Sequence, residues 1–427
     1  MSKWLVMLIT GLTLGLGWAI RGHFGHWWGA SWAGGMGALA LLLAVGRKDW
    51  IMRAPVLALL AAIGWGVGGI MSYGILVGYC RSIEVFNSAY GYAMLFMVGG
   101  LYGFIGGGLF GLGLSSDENK KPDWMRLLLE IFVVGYLAYW FIIVEMEWLM
   151  TPPRDESWAM SFGASIALAW FLYRAGNINA LRVALFSALG GGVGFAFGNF
   201  LQTLGAASGL SYNWWNVMEF TLGLLGGIGM VYGVVTSSWS EKLEPNKRIN
   251  WAALVVLVFV IPAINILQSF ETKKIIQLAE RLSISDTIKF ALDTQINVWL
   301  ILVLFTALIF YAWKKVEDGK GVQSWGIISL ALYSLLYMVF GNIRTGYSYS
   351  ESFLGNSVTM YWVILPIILL LLYLKRENKF GFSSKATELE SWKYWISVVV
   401  GLVLLIFVIA LISTVTHDAL PGSHNRF

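Results

Sequence analysis

Polar and apolar residues do not alternate along this chain. Apolar residues gather into long runs, and the charges collect in short stretches between them. A helix needs about 20 apolar residues to cross ~30 Å of hydrocarbon, within a usual range of roughly 17–25. Runs of that kind occupy residues 4–20, 30–46, 54–78, 89–114, 124–148, 157–173, 180–204, 214–236, 250–270, 295–313, 323–341, 357–374 and 394–415. Most are apolar around their whole circumference, as bilayer helices are, rather than along one stripe. The pattern predicts an all-α polytopic membrane protein with 13 transmembrane helices. Lys3 ahead of the first run resembles the start of a secretory leader. Twelve further runs follow it, so the first reads as an uncleaved span.

Composition narrows the class. Only 12% of the 427 residues are charged, against roughly 25% in soluble proteins. That excludes an ordinary soluble enzyme and a disordered chain. A net charge of +5 is too small to point to a nucleic-acid partner. The single cysteine, Cys80, permits neither an internal disulfide nor a cysteine metal cage. The position of the charges says more than their sum. Even-numbered loops hold 19 Lys and Arg, and odd-numbered loops hold 8. The positive-inside rule then puts the N-terminus and the even loops in the cytoplasm and the C-terminus outside. A bacterial inner (cytoplasmic) membrane, or an equivalent energy-coupled one, is the natural home. The lipid bilayer is the first expected partner.

One odd loop departs from the bias. Residues 271–293 carry Lys273, Lys274, Arg281 and Lys289, matched by Glu271, Glu280, Asp286 and Asp293. Ile275, Leu278, Ala279 and Leu282 recur there at helical spacing. The expectation is an amphipathic helix lying on the outer membrane surface.

Glycine is unevenly spread. Of 49 glycines, 25 lie in residues 11–114 and 12 in residues 181–240. Gly99, Gly103, Gly107 and Gly111 share one helix face, as do Gly190, Gly194 and Gly198. Small residues at this spacing let helix backbones approach closely in lipid. The segment from Gly15 to Gly22 resembles that from Gly192 to Asn199, and Phe197-Gly198-Asn199 returns as Phe340-Gly341-Asn342. The chain thus reads as six outward-pointing helical hairpins plus a C-terminal helix, with a two-fold repeat of six-helix halves. The halves would be residues 1–174 and 175–375, followed by a single span and an outer tail over 376–427.

The densest chemistry is the stretch holding Arg21, His23, His26, Trp27 and Trp28. The two flanking spans are about 17 residues each, so ~25 Å long. Their connection should dip into the membrane, where irregular backbone survives only if buried in protein or lining a wet cavity. Short, glycine-interrupted spans are the best pointer to a carrier's binding site. Arg21 needs an anionic partner, either on a solute or on a carboxylate such as Glu84, Glu145, Glu147, Glu219 or Glu351. A second cluster holds Asn199, Gln202, Asn216 and Glu219. A third holds Asn342, Arg344, Glu351 and Asn356. Trp27 and Trp28 have a bland reading as an interfacial belt. The polar clusters have one as water-facing loops.

No cofactor is expected. There is no GxxxxGK[ST] loop, and the one H-x-x-H lacks the glutamate of a zinc protease helix. The leading expectation is a secondary, non-ATP transporter of a small polar solute, anionic or sugar-like. Arg21 would hold an anionic group, and Glu219 or Glu145 would serve a coupling proton or cation. Two alternatives stand beside it. One is a membrane-embedded transferase acting at the outer face on a lipid-linked or acyl donor, with His23 or His26 as base. The other is a channel or assembly subunit without chemistry of its own.

Overall fold

In hydrocarbon, backbone N–H and C=O groups must be satisfied within the segment, which makes an apolar run a helix. The computed structural model describes residues 1–116, 121–239, 245–349, 359–382, 385, 387–418 and 420–427, and among these residues there is no strand. In chain order the helices of seven residues or more are α1 (Lys3–Arg21), α2 (His26–Val45), α3 (Ala54–Gly68), α4 (Gly74–Cys80), α5 (Val85–Ser115), α6 (Trp124–Glu145), α7 (Trp158–Arg174), α8 (Ile178–Ala207) and α9 (Trp214–Val235). They continue with α10 (Lys247–Ser269), α11 (Thr272–Arg281), α12 (Thr287–Glu317), α13 (Val322–Thr345), α14 (Thr359–Leu374) and α15 (Trp392–Thr416). Among the described residues, ten helices are long and apolar enough to cross a bilayer, and α3 and α14 are apolar but shorter. Several helix starts carry their own N-cap side chains. Ser2, Asp123, Asn213, Asn246, Asp286 and Ser391 each accept a hydrogen bond from the backbone N–H three residues on.

Two expectations change. The run 54–78 is not one helix. It breaks after Gly68, crosses residues 69–73 without helix and resumes as α4. A Cβ on Gly69 would stand 2.4 Å from the His26 carbonyl oxygen, so the break lies directly against the start of α2. Its freed Ile70 carbonyl accepts a bond from Ser157 Oγ at 2.8 Å. The segment 271–293 is also divided. Helix α11 ends at Arg281, Ser283 takes a positive φ, and α12 begins at Thr287. The apolar face of α11 (Ile275, Leu278, Ala279) is covered by α12 and α13 rather than left for a membrane surface.

The glycine-rich helices form a closed circuit of neighbours: α1 against α2, α2 against α3, α3 against α5, α5 against α8, α8 against α9, and α9 back against α1. Backbones touch around this ring. A Cβ on Gly103 would lie 2.1 Å from the Ser187 carbonyl oxygen, one on Gly190 2.2 Å from that of Leu225, and one on Gly223 2.5 Å from that of Leu14. Inside sits the fully buried Trp65 indole. Cβ atoms at Gly34 of α2, Gly106 of α5 or Gly226 of α9 would all come within 3 Å of it. Trp18 and Tyr102 pack on Trp65 edge-on and face-on, with ring centroids 5.7 and 6.4 Å away. The ring takes α1, α2, α3 and α5 from residues 1–174 and α8 and α9 from residues 175–375, each set as one contiguous arc.

The basic loops share one end of the bundle. There the Met1 amino group donates to the Lys379 carbonyl at 2.8 Å, and Phe380 N–H donates to that of Val45 at 2.9 Å. Asn250 donates to the Met52 carbonyl at 2.7 Å, and Arg182 pairs with Glu390. The other end, where α1 finishes at Arg21, holds the candidate site.

Candidate functional site

The last turn of α1 points Arg21 into protein, 2% exposed. Its guanidinium lies over the Trp18 ring, 4.9 Å from the centroid. Nη1 donates to Tyr73 Oη at 2.6 Å and to Glu219 Oε1 at 2.9 Å. Nη2 lies 2.5 Å from His26 Nδ1. Arginine can only donate, so His26 is a neutral imidazole carrying its proton on Nε2. Glu219 is 4% exposed, one turn inside α9. Its Oε2 lies against the Gly22 backbone without a side-chain partner, and Arg21 Nε has none either. A Cβ on Gly22 would stand 2.5 Å from that Oε2, so only glycine lets the carboxylate approach the turn after α1. Tyr73 comes from the break between α3 and α4. Its hydroxyl accepts from Arg21 and donates to Glu219 Oε1 at 3.4 Å.

These groups floor a cavity of about 590 Å³. Arg21, His26, Tyr73 and Glu219 form the polar floor, with Arg154 and His424 on the wall beside Phe24, Ile75 and Trp215. His424 belongs to the C-terminal tail, which folds back over α4 and α5. His424 N–H donates to the Gly78 carbonyl at 3.1 Å, Arg81 Nη1 to that of Pro421 at 2.8 Å, and Arg426 N–H to Asn87 Oδ1 at 2.5 Å.

Of the residues picked from sequence, Arg21, His26 and Glu219 meet at this floor. His23 turns into a separate network. Its Nε2 is 3.1 Å from Tyr361 Oη, which also receives Asn216 Nδ2 at 2.6 Å and donates to the Ala19 carbonyl at 3.0 Å. Burial, and after it the positive charge of Arg344, pushes the His23 imidazole down to about 4. Asn199 and Gln202 bond each other at 2.7 Å inside α8, leaving Asn199 Oδ1 and Gln202 Nε2 buried without partners. Asn342 Oδ1 and Arg344 Nε are likewise unpartnered. None of these four residues lines the cavity. Trp27, Glu84 and Glu145 are exposed and stand apart from it too. For Trp27 that favours the belt reading. Glu351 and Asn356 lie outside the described residues.

Sequence reasoning did not select Tyr73, Arg154 or His424. Tyr73 had a readable signal: Ser72 and Tyr73 interrupt an apolar run between Gly69 and Gly74. Arg154 and His424 had none, because only folding brings the 149–157 loop and the tail to α1. Sequence reasoning also passed over Glu156, a buried carboxylate that accepts from the Met150 and Thr151 backbone and from Trp158 Nε1, and so clamps that loop.

The fold and its apolar helices define the chain as a polytopic helical membrane protein. No family model matches it, and no curated protein or solved structure compared with it is similar.

Proposed function

We propose that the protein is a secondary carrier of small polar solutes, with its solute site at the Arg21 end of the glycine-rich ring. The observation that supports this most is the cavity floored by Arg21, Tyr73, His26 and Glu219. A soluble-sized polar cavity ending on a buried ion pair within a bundle is where carriers bind solutes. Helix α3–α4 is interrupted beside it, as binding-site helices of carriers are. Trp65 and its aromatic neighbours fill the ring below the floor, so the arrangement reads as open to one side and closed to the other. By the positive-inside rule the open side is extracytoplasmic. The transferase alternative needs a histidine in the cavity that is free to act as base. Here His23 is bonded to Tyr361, while His26 is bonded to Arg21.

The test is uptake into proteoliposomes of labelled amino acids, sugars, carboxylates and phosphate esters. At least one class should accumulate, and Arg21→Ala should abolish its uptake. Failure of every class to enter, or equal uptake by the variant, would sink the carrier reading.

A further inference from the structure

The Arg21–Glu219 pair is incomplete in a specific way. Guanidinium and carboxylate ordinarily join through two parallel bonds. Here a single bond joins Nη1 to Oε1, while Arg21 Nε and Glu219 Oε2, the latter against the Gly22 backbone, are buried without a side-chain partner in hydrogen-bond geometry. The rest of the guanidinium rests on neutral groups, the Tyr73 hydroxyl and His26 Nδ1. Around the cavity the cations Arg21 and Arg154 and the titratable His26 and His424 face one carboxylate, that of Glu219. With Glu219 charged, Arg21 is neutralised from within. With Glu219 neutral, an isolated buried arginine faces the cavity, a state that strongly favours an incoming anion.

We infer that the cavity takes a small organic carboxylate, and that Glu219 holds its place on Arg21 until Glu219 binds a proton. The inference rests on the carrier reading and supplies its solute class and its coupling ion. A proton from water adds to Glu219 Oε2 and the Arg21–Glu219 ion pair opens. The solute carboxylate then pairs with Arg21, so one proton and one negative charge enter together. Phe24, Ile75 and Trp215 provide apolar wall for the organic part. The groups around Glu219 leave it as the proton acceptor. Helix α1 offers Arg21, α5 offers Tyr102, the 69–73 break offers Tyr73, and α13 and α14 offer Tyr337 and Tyr361. Helix α8 carries one titratable residue, Arg182, at its opposite end. His26 meets Glu219 only through Arg21.

The experiment is calorimetric titration of the full-length protein with acetate, lactate, succinate and benzoate, and with neutral lactamide, at about pH 5.5 and about pH 7.5, both above the ordinary glutamate value of about 4.3. At least one carboxylate should bind the wild type at least ~10-fold more tightly at the lower pH, with uptake of close to one proton per site. Glu219→Gln should bind it equally at both pH values, and more tightly than wild type at the higher one. Arg21→Ala should not bind it, lactamide should not bind at all, and His424→Ala should keep the pH dependence. Should Glu219→Gln not fold, proton uptake by the wild type, measured in buffers of different ionisation enthalpy, decides alone. Binding of no carboxylate, pH-independent binding, or binding without proton uptake would overturn the inference. Uptake of a neutral solute without carboxylate binding would overturn it and leave the carrier reading standing. Proton-linked binding without uptake into proteoliposomes would do the reverse.

Discussion

The ring of α1, α2, α3, α5, α8 and α9 and the helices around it solve the same problem in opposite ways. In the ring, helices are held by backbone contact. The apolar stretch of α2 is 89% buried, and glycines open room for carbonyls and for the Trp65 indole. In the periphery, α6 and α15 have only 17% of their apolar stretch buried, and their Leu, Val and Phe side chains face outward. Lipid tails are as apolar as leucine, so burying leucine gains little there. Close approach through small residues and polar bonds makes a specific joint instead. The ring is therefore where position is fixed, and it is also where the one buried ion pair of its floor is held. The periphery supplies apolar surface to the membrane.

The sharpest break of this comparison sets two ion pairs against each other. Arg21→Ala leaves Glu219 as an uncompensated buried charge and should cost about 3–5 kcal/mol. Arg126→Ala on α6 removes an exposed partner of Glu130, which keeps Arg174. It should cost less than about 1 kcal/mol. Unfolding in detergent measures both, and similar losses would mean that the ring pair is no more structural than a surface one. Glycine gives the next contrast. Gly103→Val drives a side chain into the Ser187 carbonyl and should cost about 1–3 kcal/mol or more. Gly401→Val on α15 has nothing within 4 Å and should be close to neutral. Equal effects would show that the ring backbones can move apart.

Acidification gives the smallest and most local effect. The native His23 imidazole titrates at about 4, against about 6.5 when unfolded. Between those values the unfolded chain binds the extra proton, so stability falls as pH drops through that window and is unaffected above it. The melting temperature should fall from neutral pH toward pH ~5, less steeply in His23→Gln than in wild type. An identical slope in the variant would remove His23 as the source.

Much of the fold was legible because the bilayer constrains sequences severely. Each of the helices long enough to span corresponds to an apolar run, and the basic loops do gather at one end. Arg21, His26 and Glu219 stood out because charged and titratable groups are rare inside such runs. Run 54–78 was misread because hydropathy registers composition and is blind to where backbone leaves the helix, whereas in 271–293 the amphipathic helix is present but ends at Arg281. A glycine pair is cheap to leave in α-form and cheap to break. The choice at Gly69 falls to the neighbouring α2 backbone.

The sequence by itself determined the all-helical membrane class, the glycine-rich helices that meet as the ring, and the residues able to carry charge within it. These follow from transfer free energies and helix geometry, which act locally. The tertiary structure alone decided that Glu219, 198 residues away, rather than Glu84 or Glu145, pairs with Arg21. It also decided that His26 joins that pair while His23 joins Tyr361, and that Tyr73, Arg154 and His424 complete the cavity. Pairing across such separations depends on which helices become neighbours. That follows from the fit of many side chains and backbones at once, which no single segment encodes.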